Sequence, residues 1–415
     1  MYPRLVLLQK LLAEDGAIFI SIDDNEHANL LLVCNEIFGS NNFIQDIIWN
    51  KRVSPARDAK FFSTDHEYIL VYSKNKESLT THFLPRTEKN NSYYKNPDND
   101  PRGPWNSAAY TCNKSRDERP NLYYPITNPY TGEKIFPKES AVWAYSEETY
   151  QQHVRDNLLY WGVNGEAKQP RKKAFLSEVG DVVPRSVWSH SDVGSTQKAT
   201  MENNTIFNMR AFSYPKVSTL VERIIQIASD KDSIVLDSFA GSGTTAHAVL
   251  NMNKSDGGNR KFILVEMGDY ADTITAERVK RVINGYGEGK NAVEGTGGNF
   301  SYYELGNPLF MQDGTINDEV DITEVRKYVW YTETNGIEYK EDIQEKYFLG
   351  SYNDTAYYFY YEKDRVTILD YEFLTSVHKK EQTYVMYADS CALSDSDLQK
   401  WNITFKKIPR DIEHI

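Results

Sequence analysis

The sequence predicts an α/β layer fold that is interrupted by a long loop-rich segment and followed by a small α+β domain. Helix and strand patterns alternate through residues 1–75, stop, and resume over residues 206–290. Such alternation is typical of helices layered against a sheet. Between these stretches, residues 76–205 are rich in Pro, Gly, Asn and Tyr and show no long helical periodicity. A chain of 415 residues has room for about two or three domains.

The first α/β stretch begins with leucines at helical spacing over residues 2–13. An apolar run at residues 17–22, flanked by turn residues, then predicts a buried strand. The other elements predicted here are a helix over 25–38, with Asn25 as its N-cap, and strands over 43–49 and 67–72.

The second α/β stretch leads into a glycine-rich segment and then an aromatic C-terminal region. Leu220, Ile224 and Ile227 predict one buried face of a helix over residues 218–228. Glycines between residues 285 and 298 predict a linker into the α+β domain. The remaining predictions are helices over 147–157, 244–250 and 274–283 and strands over 234–236, 262–265, 356–361 and 365–369.

Charge and cysteine content narrow the class of protein. The formal net charge is −12, and the acidic excess is concentrated in residues 291–415, which makes that region a poor ligand for phosphates. Cys34, Cys112 and Cys391 are far apart, which predicts a reducing, cytoplasmic compartment and neither a metal site nor a disulfide framework. The composition also predicts no membrane span and no signal peptide.

A glycine loop between a predicted strand and a predicted helix is the most informative motif. Gly241, Gly243 and Ala246 match the pattern G-x-G-x-x-[GA]. The first glycine permits a tight turn, the second lets the backbone approach a ligand, and the third small residue lets the helix pack on the strand. The next predicted strand ends at Glu266, where a carboxylate can accept both hydroxyls of a ribose. The alternative is a glycine turn that merely connects strand and helix.

Two details of this loop favour S-adenosylmethionine over a nicotinamide cofactor. Asp237 lies between the strand and the glycines, where its carboxylate could meet an ammonium-bearing ligand. The loop also opens with Phe239 and Ala240 rather than directly with glycine. The opposing hypothesis is an NAD-dependent oxidoreductase, but no plausible hydride-transfer partner accompanies the loop.

The stretch Phe239-Ala-Gly-Ser-Gly-Thr-Thr245 resembles the cofactor motif of amino-methyltransferases acting on DNA, in the permuted (β) class whose catalytic half precedes the cofactor half. The resemblance implies a Rossmann-like S-adenosylmethionine-dependent methyltransferase fold and transfer of a methyl group to N6 of a flipped adenine in double-stranded DNA. Further stretches resemble the modification subunit of type III restriction–modification systems. They are Met1-Tyr-Pro-Arg-Leu, Ile18-Phe-Ile-Ser-Ile-Asp-Asp-Asn-Glu26, His66-Glu-Tyr-Ile-Leu-Val-Tyr72, Ser213-Tyr-Pro-Lys-Val217 and Lys406-Lys-Ile-Pro-Arg410.

The resemblance also implies roles for individual residues. Tyr214, Pro215 and Lys216 match a segment that helps to hold the methionine part of the cofactor, unless they form only the turn that opens the following helix. Thr275 and Arg278 match a structural motif, and we expect a core position for the first and a surface position for the second. The predicted cofactor-binding residues are Asp237, Phe239, Ala240, Gly241, Ser242, Gly243, Thr244, Glu266 and Lys216.

The catalytic motif of such enzymes, Asp-Pro-Pro-Tyr, has no counterpart in this sequence, which contains no Pro-Pro pair. In the motif, the acid and a proline carbonyl accept the two N–H bonds of the adenine amino group, and the aromatic ring stacks on the flipped base. Asp100-Pro-Arg-Gly-Pro-Trp105 and Asn128-Pro-Tyr130 are partial look-alikes within the loop-rich segment. The sequence therefore assigns no catalytic residue.

Met1-Tyr-Pro-Arg-Leu resembles a stretch that follows the catalytic motif, so the methyltransferase fold is expected to be incomplete, without the first strands of its catalytic half. We expect an uncovered strand edge at residues 18–22 or 234–236, and a homo-oligomer or partner chain that covers it. We also expect no methyl transfer by this chain alone. The alternative is a cofactor- and DNA-binding subunit that depends on a partner chain.

The resemblance divides the chain into four regions. Residues 1–75 are the remnant of the catalytic half, 206–290 form the cofactor half, and the acidic residues 291–415 are expected to contact a second modification subunit or the restriction subunit. Residues 76–205 are the expected DNA target-recognition region, although a solvated surface turn is the commoner interpretation of residues 171–173. RNA is a weaker alternative to DNA. The interleaved cations and aromatics of this region are Arg116, Arg119, Lys168, Arg171, Lys172, Lys173, Arg185, Tyr93, Tyr94, Trp105, Tyr110 and Trp161.

Overall fold

The computed structural model describes residues 1–340 and 345–412. The chain divides into two compact units, Met1–Phe300 and Ser301–Ile415. The sequence predicts this boundary at residue 290, but the following residues stay with the first unit because the backbone N–H of Thr296 donates to the carbonyl of Val282. Among the described residues, no helix is long and apolar enough to cross a lipid bilayer.

The first unit contains both predicted α/β stretches and the insertion between them. Its helices are α1 (Tyr2–Leu11), α2 (His27–Cys34), α3 (Glu88–Asn91), α4 (Glu147–Arg155), α5 (His190–Val193), α6 (Thr196–Phe207), α7 (Ser218–Ala228), α8 (Thr244–Asp256) and α9 (Glu277–Asn284). Its strands are β1 (Ala17–Ile22), β2 (Phe43–Asn50), β3 (His66–Ser73), β4 (Trp105–Ala109), β5 (Thr111–Cys112), β6 (Ile126–Thr127), β7 (Lys134–Ile135), β8 (Val142–Trp143), β9 (Leu159–Tyr160), β10 (Arg171–Phe175), β11 (Val187–Trp188), β12 (Ile234–Asp237), β13 (Lys261–Leu264), β14 (Gly285–Tyr286) and β15 (Val293–Glu294).

Two helix ends differ from their predictions. Asn25 is not the N-cap of α2, because its backbone and its side-chain amide both donate to Asp23 in the preceding turn, and Glu26 takes the cap position. The predicted helix over 274–283 begins earlier, as a π-helical turn at Ala271–Ala276, and continues as α9. That turn brings the backbone of Thr275 against the glycine loop, as described below.

The first sheet has the strand order β1-β3-β2-β11. β3 is antiparallel to both of its neighbours, whereas β11 is parallel to β2. Because successive side chains of a strand point to opposite faces, Leu70 and Tyr72 pack against α1 and α2, while Ile69 and Val71 pack against α7. Burial on both faces explains why the sequence of β3 is a continuous apolar run.

The second sheet consists of β12 and β13, which run parallel, and α7 connects it with the first sheet. Leu220 and Ile227 of α7 belong to the core beneath the first sheet. Ile225 of the same helix packs with Ala248 and with residues of β12 and β13. One amphipathic helix therefore holds both sheets within a single unit.

In the described part of the chain, each of these sheets has an unpaired edge strand. Within the described residues β12 pairs with β13 only, and β1 pairs with β3 only. Ile234 and Leu236 of β12 remain 65% and 37% exposed. Because alternate side chains of a strand point to the same face, Ile234 and Leu236 leave one apolar face of β12 uncovered next to this edge. Its covering by a partner stays a prediction.

The insertion is built from short strands around an aromatic core. Its largest sheet has the order β4-β10-β9, and Tyr110, Tyr124 and Trp143 are buried beside it. The interpretation of residues 171–173 as a surface turn is wrong, because they begin strand β10 and Lys173 is only 2% exposed. The ammonium group of Lys173 pairs with Asp98 and Asp100, so it is not available to a phosphate.

The second unit combines helices with a mixed sheet, in agreement with the predicted α+β domain. The sheet order is β16-β17-β19-β21, and one helix packs on one face while two pack on the other. The helices are α10 (Ile322–Thr334), α11 (Tyr371–Thr375) and α12 (Asp395–Lys400). The strands are β16 (Phe348–Tyr352), β17 (Thr355–Phe359), β18 (Ile368–Leu369), β19 (Thr383–Ala388), β20 (Ser390–Cys391) and β21 (Ile403–Lys407).

Candidate cofactor-binding site

The glycine loop connects the end of β12 with the start of α8 and needs glycine at two positions. Gly241 and Gly243 have φ angles of +53° and +79°, which lie in the left-handed region that glycine adopts without steric cost. A Cβ atom on Gly243 would also lie 2.9 Å from the carbonyl oxygen of Thr275. Any larger residue at position 243 would therefore both strain the backbone and push the loop away from the π-helical turn at Ala271–Ala276.

Glu266, at the end of the β13 strand, ties that strand to the loop. Its Oε2 accepts the backbone N–H of Gly241 at 2.7 Å, and its Oε1 accepts those of Met267 and Gly268 at 2.9 Å each. Burial opposes ionisation, but these N–H donors outweigh it and lower the pKa of Glu266 below its ordinary value. A carboxylate has lone pairs beyond those used here, so the ionised group can still accept hydroxyl donors.

Asp237 is engaged with the loop itself. Its Oδ2 accepts the hydroxyl of Thr245 at 2.5 Å and its Oδ1 accepts the backbone N–H of Phe239 at 3.1 Å. These two bonds close the turn from β12 into α8. The predicted contact of Asp237 with a ligand ammonium group stays a prediction, because the described contacts are all within the loop.

Lys216 lies near the loop, but its ammonium group points to the first sheet. It pairs with Glu67 and lies 5.2 Å from the ring centre of Trp49. Glu67 also pairs with Lys51 at 2.9 Å. Burial would raise the pKa of Glu67, but Lys216 and then Lys51 lower it below its ordinary value. The charge of Lys216 is thus balanced within the protein.

The carboxyl ends of β1 and β12 lie at the same edge of the first unit. Ile22, the last residue of β1, pairs with Tyr68 of β3, next to Glu67. Lys216 links Glu67 to the start of α8. Its ammonium group pairs with Glu67, and its backbone carbonyl accepts the hydroxyl of Thr244 at 3.2 Å. Since α/β sheets bind ligands outside the carboxyl ends of their strands, this edge is the expected place for a cofactor.

Arg278 holds the loop from behind, and the prediction of a surface position for it is wrong. Its side chain is fully buried and donates to the hydroxyls of Ser242 and Thr244 at 2.9 Å each and to Glu202 of α6 at 3.1 Å. Thr275 is 5% exposed, so its predicted core position is confirmed, and its hydroxyl donates to the carbonyl of Gly241 at 2.6 Å.

Aromatic rings surround the mouth of the loop. Phe239 is half exposed, and the guanidinium of Arg4 in α1 lies 5.5 Å from its ring centre. Phe212 faces Gly241, and its ring packs edge-on against Tyr270 at 5.4 Å between ring centres. Neither Phe212 nor Tyr270 is predicted from the sequence, although the position of Tyr270 shortly after Glu266 is a signal that could have indicated it.

His247, in the network behind the loop, makes stability sensitive to acid. Burial, followed by the charge of Arg278, lowers its pKa from 6.5 to about 3. Between these values the unfolded chain binds a proton at His247 and the folded chain does not, so the free energy of unfolding falls as the pH is lowered through this window. The slope for one such group is about 1.4 kcal/mol per pH unit.

We therefore expect His247→Gln, which cannot take up this proton, to flatten the pH dependence of stability. The measurement is urea unfolding at a series of pH values from 6.5 downward. His82→Gln is the matched control, since His82 is 43% exposed and should leave the slope as in the wild type. An unchanged slope in His247→Gln would contradict the assignment.

The described residues contain no group of three or more His, Cys, Asp or Glu side chains that could hold a metal ion. A sequence model of a family described as DNA methylase matches residues 1–277. The chain belongs to this DNA methylase family. The family is S-adenosyl-L-methionine-dependent, and the helix-covered sheets with their glycine loop agree with its Rossmann-like fold.

Three characterised relatives show the extent of the likeness. The Mod subunit of the type III restriction–modification enzyme StyLTI from Salmonella typhimurium is 36% identical over 297 residues, which are 68% of this chain and 44% of the relative. The EcoPI Mod subunit of Escherichia phage P1 is 32% identical over 291 residues, which are 64% of this chain and 44% of the relative. The type II methyltransferase M.KpnI from Klebsiella pneumoniae is 33% identical over 285 residues, covering 64% and 66%.

The chain spans less than half the length of the two type III relatives that it matches. Among solved structures, the PvuII cytosine-N4-specific DNA methyltransferase matches 66% of this chain and 67% of its own at 12% identity, with a TM-score of 0.34. That structural likeness is too weak to support an argument about function.

Proposed function

We propose that this chain provides the cofactor-binding and DNA-contacting part of a site-specific DNA adenine-N6 methyltransferase, the modification subunit of a cytoplasmic type III restriction–modification system. The family match over residues 1–277 and the identity to two type III Mod subunits support the substrate class. The observation that carries the proposal is the glycine loop at the carboxyl edge of β12, fixed to the carboxylate of Glu266.

The residues of the site fit S-adenosyl-L-methionine in shape and in charge. The glycines let the loop take its left-handed turn close against Thr275, Glu266 is placed to accept ribose hydroxyls, and the exposed ring of Phe239 offers an apolar surface to adenine. The nearby carboxylate of Asp237 suits the positive sulfonium and ammonium groups of this cofactor, and Glu266 adds a negative charge beside the loop. These two carboxylates do not suit a pyrophosphate, which prefers a free helix N-terminus or a cation.

In this proposal the cofactor supplies an electrophilic methyl group, and the protein positions it. Asp237, Thr275 and Arg278 fix the backbone of the loop, while Lys216 and Glu67 join the loop to the first sheet. The side chains that would activate the adenine amino group are those of the Asp-Pro-Pro-Tyr motif, which this chain does not contain. A partner polypeptide that carries the motif would complete the site.

Calorimetric titration tests the proposed cofactor. We expect the purified chain to bind S-adenosyl-L-methionine and not NAD. Gly243→Val should abolish the binding, because its side chain would meet the carbonyl of Thr275 and strain a positive φ angle. Gly180→Val is the matched control, since a Cβ at Gly180 meets nothing within 4 Å, and it should bind as the wild type does. Binding of NAD alone would overturn the proposal.

We further propose that a second polypeptide, either another copy of this chain or the restriction subunit, covers the exposed edge of β12. Among the described residues β12 pairs with β13 only, and such open edges pair readily with other strands. Ile234 and Leu236 add an exposed apolar face beside it. Light scattering at micromolar protein should give a mass above that of one chain, and Ile234→Lys should lower it. A monomeric wild-type protein would contradict self-association. In the same preparation we expect no methyl transfer to duplex DNA.

A further inference from the structure

The loop between β2 and β3, residues 51–65, projects from the edge that carries the glycine loop. Its base is Lys51, which pairs with Glu67, and Glu67 in turn pairs with Lys216 beside the start of α8. The backbone N–H of Lys51 also donates to the carbonyl of Asp65, which closes the base at 2.9 Å. The loop is thus anchored next to the candidate cofactor site.

The loop has a defined shape. The hydroxyl of Ser63 accepts the backbone N–H of Ala56 at 2.7 Å and donates to the carboxylate of Asp65. The backbone N–H of Ala59 donates to the carbonyl of Ala56 at 3.4 Å. These bonds hold the two limbs together and leave residues 57–62 as an exposed tip.

Two adjacent phenylalanines form the end of this tip. Phe61 is 82% exposed and Phe62 is 93% exposed. Exposure of one large apolar side chain is common, but two neighbouring rings forgo about 1.5–3 kcal/mol of burial each. Such a pair on an ordered loop indicates a surface that another molecule covers.

The charges around the rings suit a polyanion. The charged residues of the tip are Arg57, Asp58 and Lys60, with Lys60 Nζ 5.3 Å from the ring centre of Phe61. At the base, Lys51 and Arg52 pair with Glu67 and Asp65. Asp65 is occupied within the loop by Ser63 and Arg52. In a chain with a formal net charge of −12, this local cluster of cations with aromatic rings is the combination that binds nucleic acid.

We propose that Phe61 and Phe62 enter the DNA duplex beside the target adenine and stack against the bases that its extrusion leaves unpaired, while Arg57 and Lys60 contact the flanking phosphates. This inference rests on the proposed function, because extrusion is needed only where a base is modified. Aromatic wedges of this kind unstack a base step, and removing a base from the stack costs a few kcal/mol. A wedge next to the cofactor site offsets that cost where the chemistry occurs.

The experiment compares a fully paired duplex with one that carries a single abasic position, by fluorescence anisotropy of the full chain at low salt. We expect wild-type protein to prefer the abasic duplex, since the gap accepts a ring without unpairing. Phe61→Ala/Phe62→Ala should remove the preference and weaken abasic binding about tenfold, because stacking contributes about 1–3 kcal/mol per base. Arg57→Gln/Lys60→Gln should weaken both duplexes equally and reduce the salt dependence.

The matched control is Tyr303→Ala/Leu305→Ala, which removes two highly exposed apolar side chains from the second unit and should behave as wild type. Calorimetry with S-adenosyl-L-methionine runs in parallel. Failure of the wild-type protein to bind the cofactor would refute the proposed function, whereas the wedge is tested by the DNA-binding measurements alone. The wedge is overturned if Phe61→Ala/Phe62→Ala binds both duplexes as tightly as wild type, or if wild type shows no preference for the abasic duplex.

Discussion

Replacement of Arg278 by alanine should lower the free energy of unfolding by about 3–5 kcal/mol, which is what removing one partner of a buried ion pair costs. The guanidinium of Arg278 is fully buried and binds Glu202, His247 and the hydroxyls of Ser242 and Thr244. In the variant, the Glu202 carboxylate would stay mostly buried without its counter-charge. The total free energy of unfolding of a typical domain is only about 5–15 kcal/mol, so this loss is large.

Urea unfolding measures this effect. Lys280→Ala is the control on the same helix, because the side chain of Lys280 is 50% exposed and pairs only loosely, at 3.7 Å, with the exposed Asp272. An exposed pair of this type contributes about 0–1 kcal/mol. The loss in free energy of unfolding for Arg278→Lys should lie between those of the two alanine variants, since lysine keeps the charge but lacks the planar set of donors. A loss of less than about 1 kcal/mol in Arg278→Ala would contradict the central role of this network.

Replacement of Glu266 by glutamine should weaken binding of S-adenosyl-L-methionine by about 10–100-fold, which corresponds to about 1.4–2.7 kcal/mol. The carboxylate accepts three backbone N–H bonds with its two oxygens, whereas a carboxamide has one acceptor oxygen and an NH₂ group that would face an N–H donor. The variant would therefore lose the bond to the loop or those to the residues after β13, together with a strong acceptor for ribose hydroxyls.

Isothermal titration calorimetry gives the dissociation constants for this comparison. Glu277→Gln is the control, because Glu277 is a partly exposed carboxylate on α9 whose partner is Arg281, and it should bind the cofactor as the wild type does. Urea unfolding of Glu266→Gln separates loss of affinity from loss of fold. Affinity within about twofold of wild type would show that Glu266 does not face the ligand.

Short-range patterns predicted much of the fold and the centre of the site. The apolar run at Ala17–Ile22, the helix Ser218–Ala228 and the loop at Gly241 and Gly243 lie where the sequence places them. These features depend on periodicity and on the conformational freedom of glycine, both of which are properties of neighbouring residues.

Such local patterns do not predict contacts between segments that are distant in the sequence. Arg278 reads as a surface residue because arginine is rarely buried unless paired, and its partner Glu202 lies 76 residues earlier in the sequence. The partner of Lys216, which stays a predicted cofactor residue, is Glu67, 149 residues away in the sequence. Lys173 was expected at the surface for the same reason. Its partners Asp98 and Asp100 are identified only by the structure. In each case the charged partner comes from tertiary structure, and for Arg278 and Lys173 the pairing allows the charge to be buried.

A crystal structure of the purified chain with S-adenosyl-L-methionine would test the central claim most directly. We predict cofactor density along the loop at residues 239–244, with the ribose hydroxyls within hydrogen-bonding distance of Glu266 and the adenine against Phe239. The same crystals soaked with NAD should show no density there. Cofactor density bound elsewhere on the chain, or NAD seated on the loop, would contradict the assignment of this edge as the methyl-donor site.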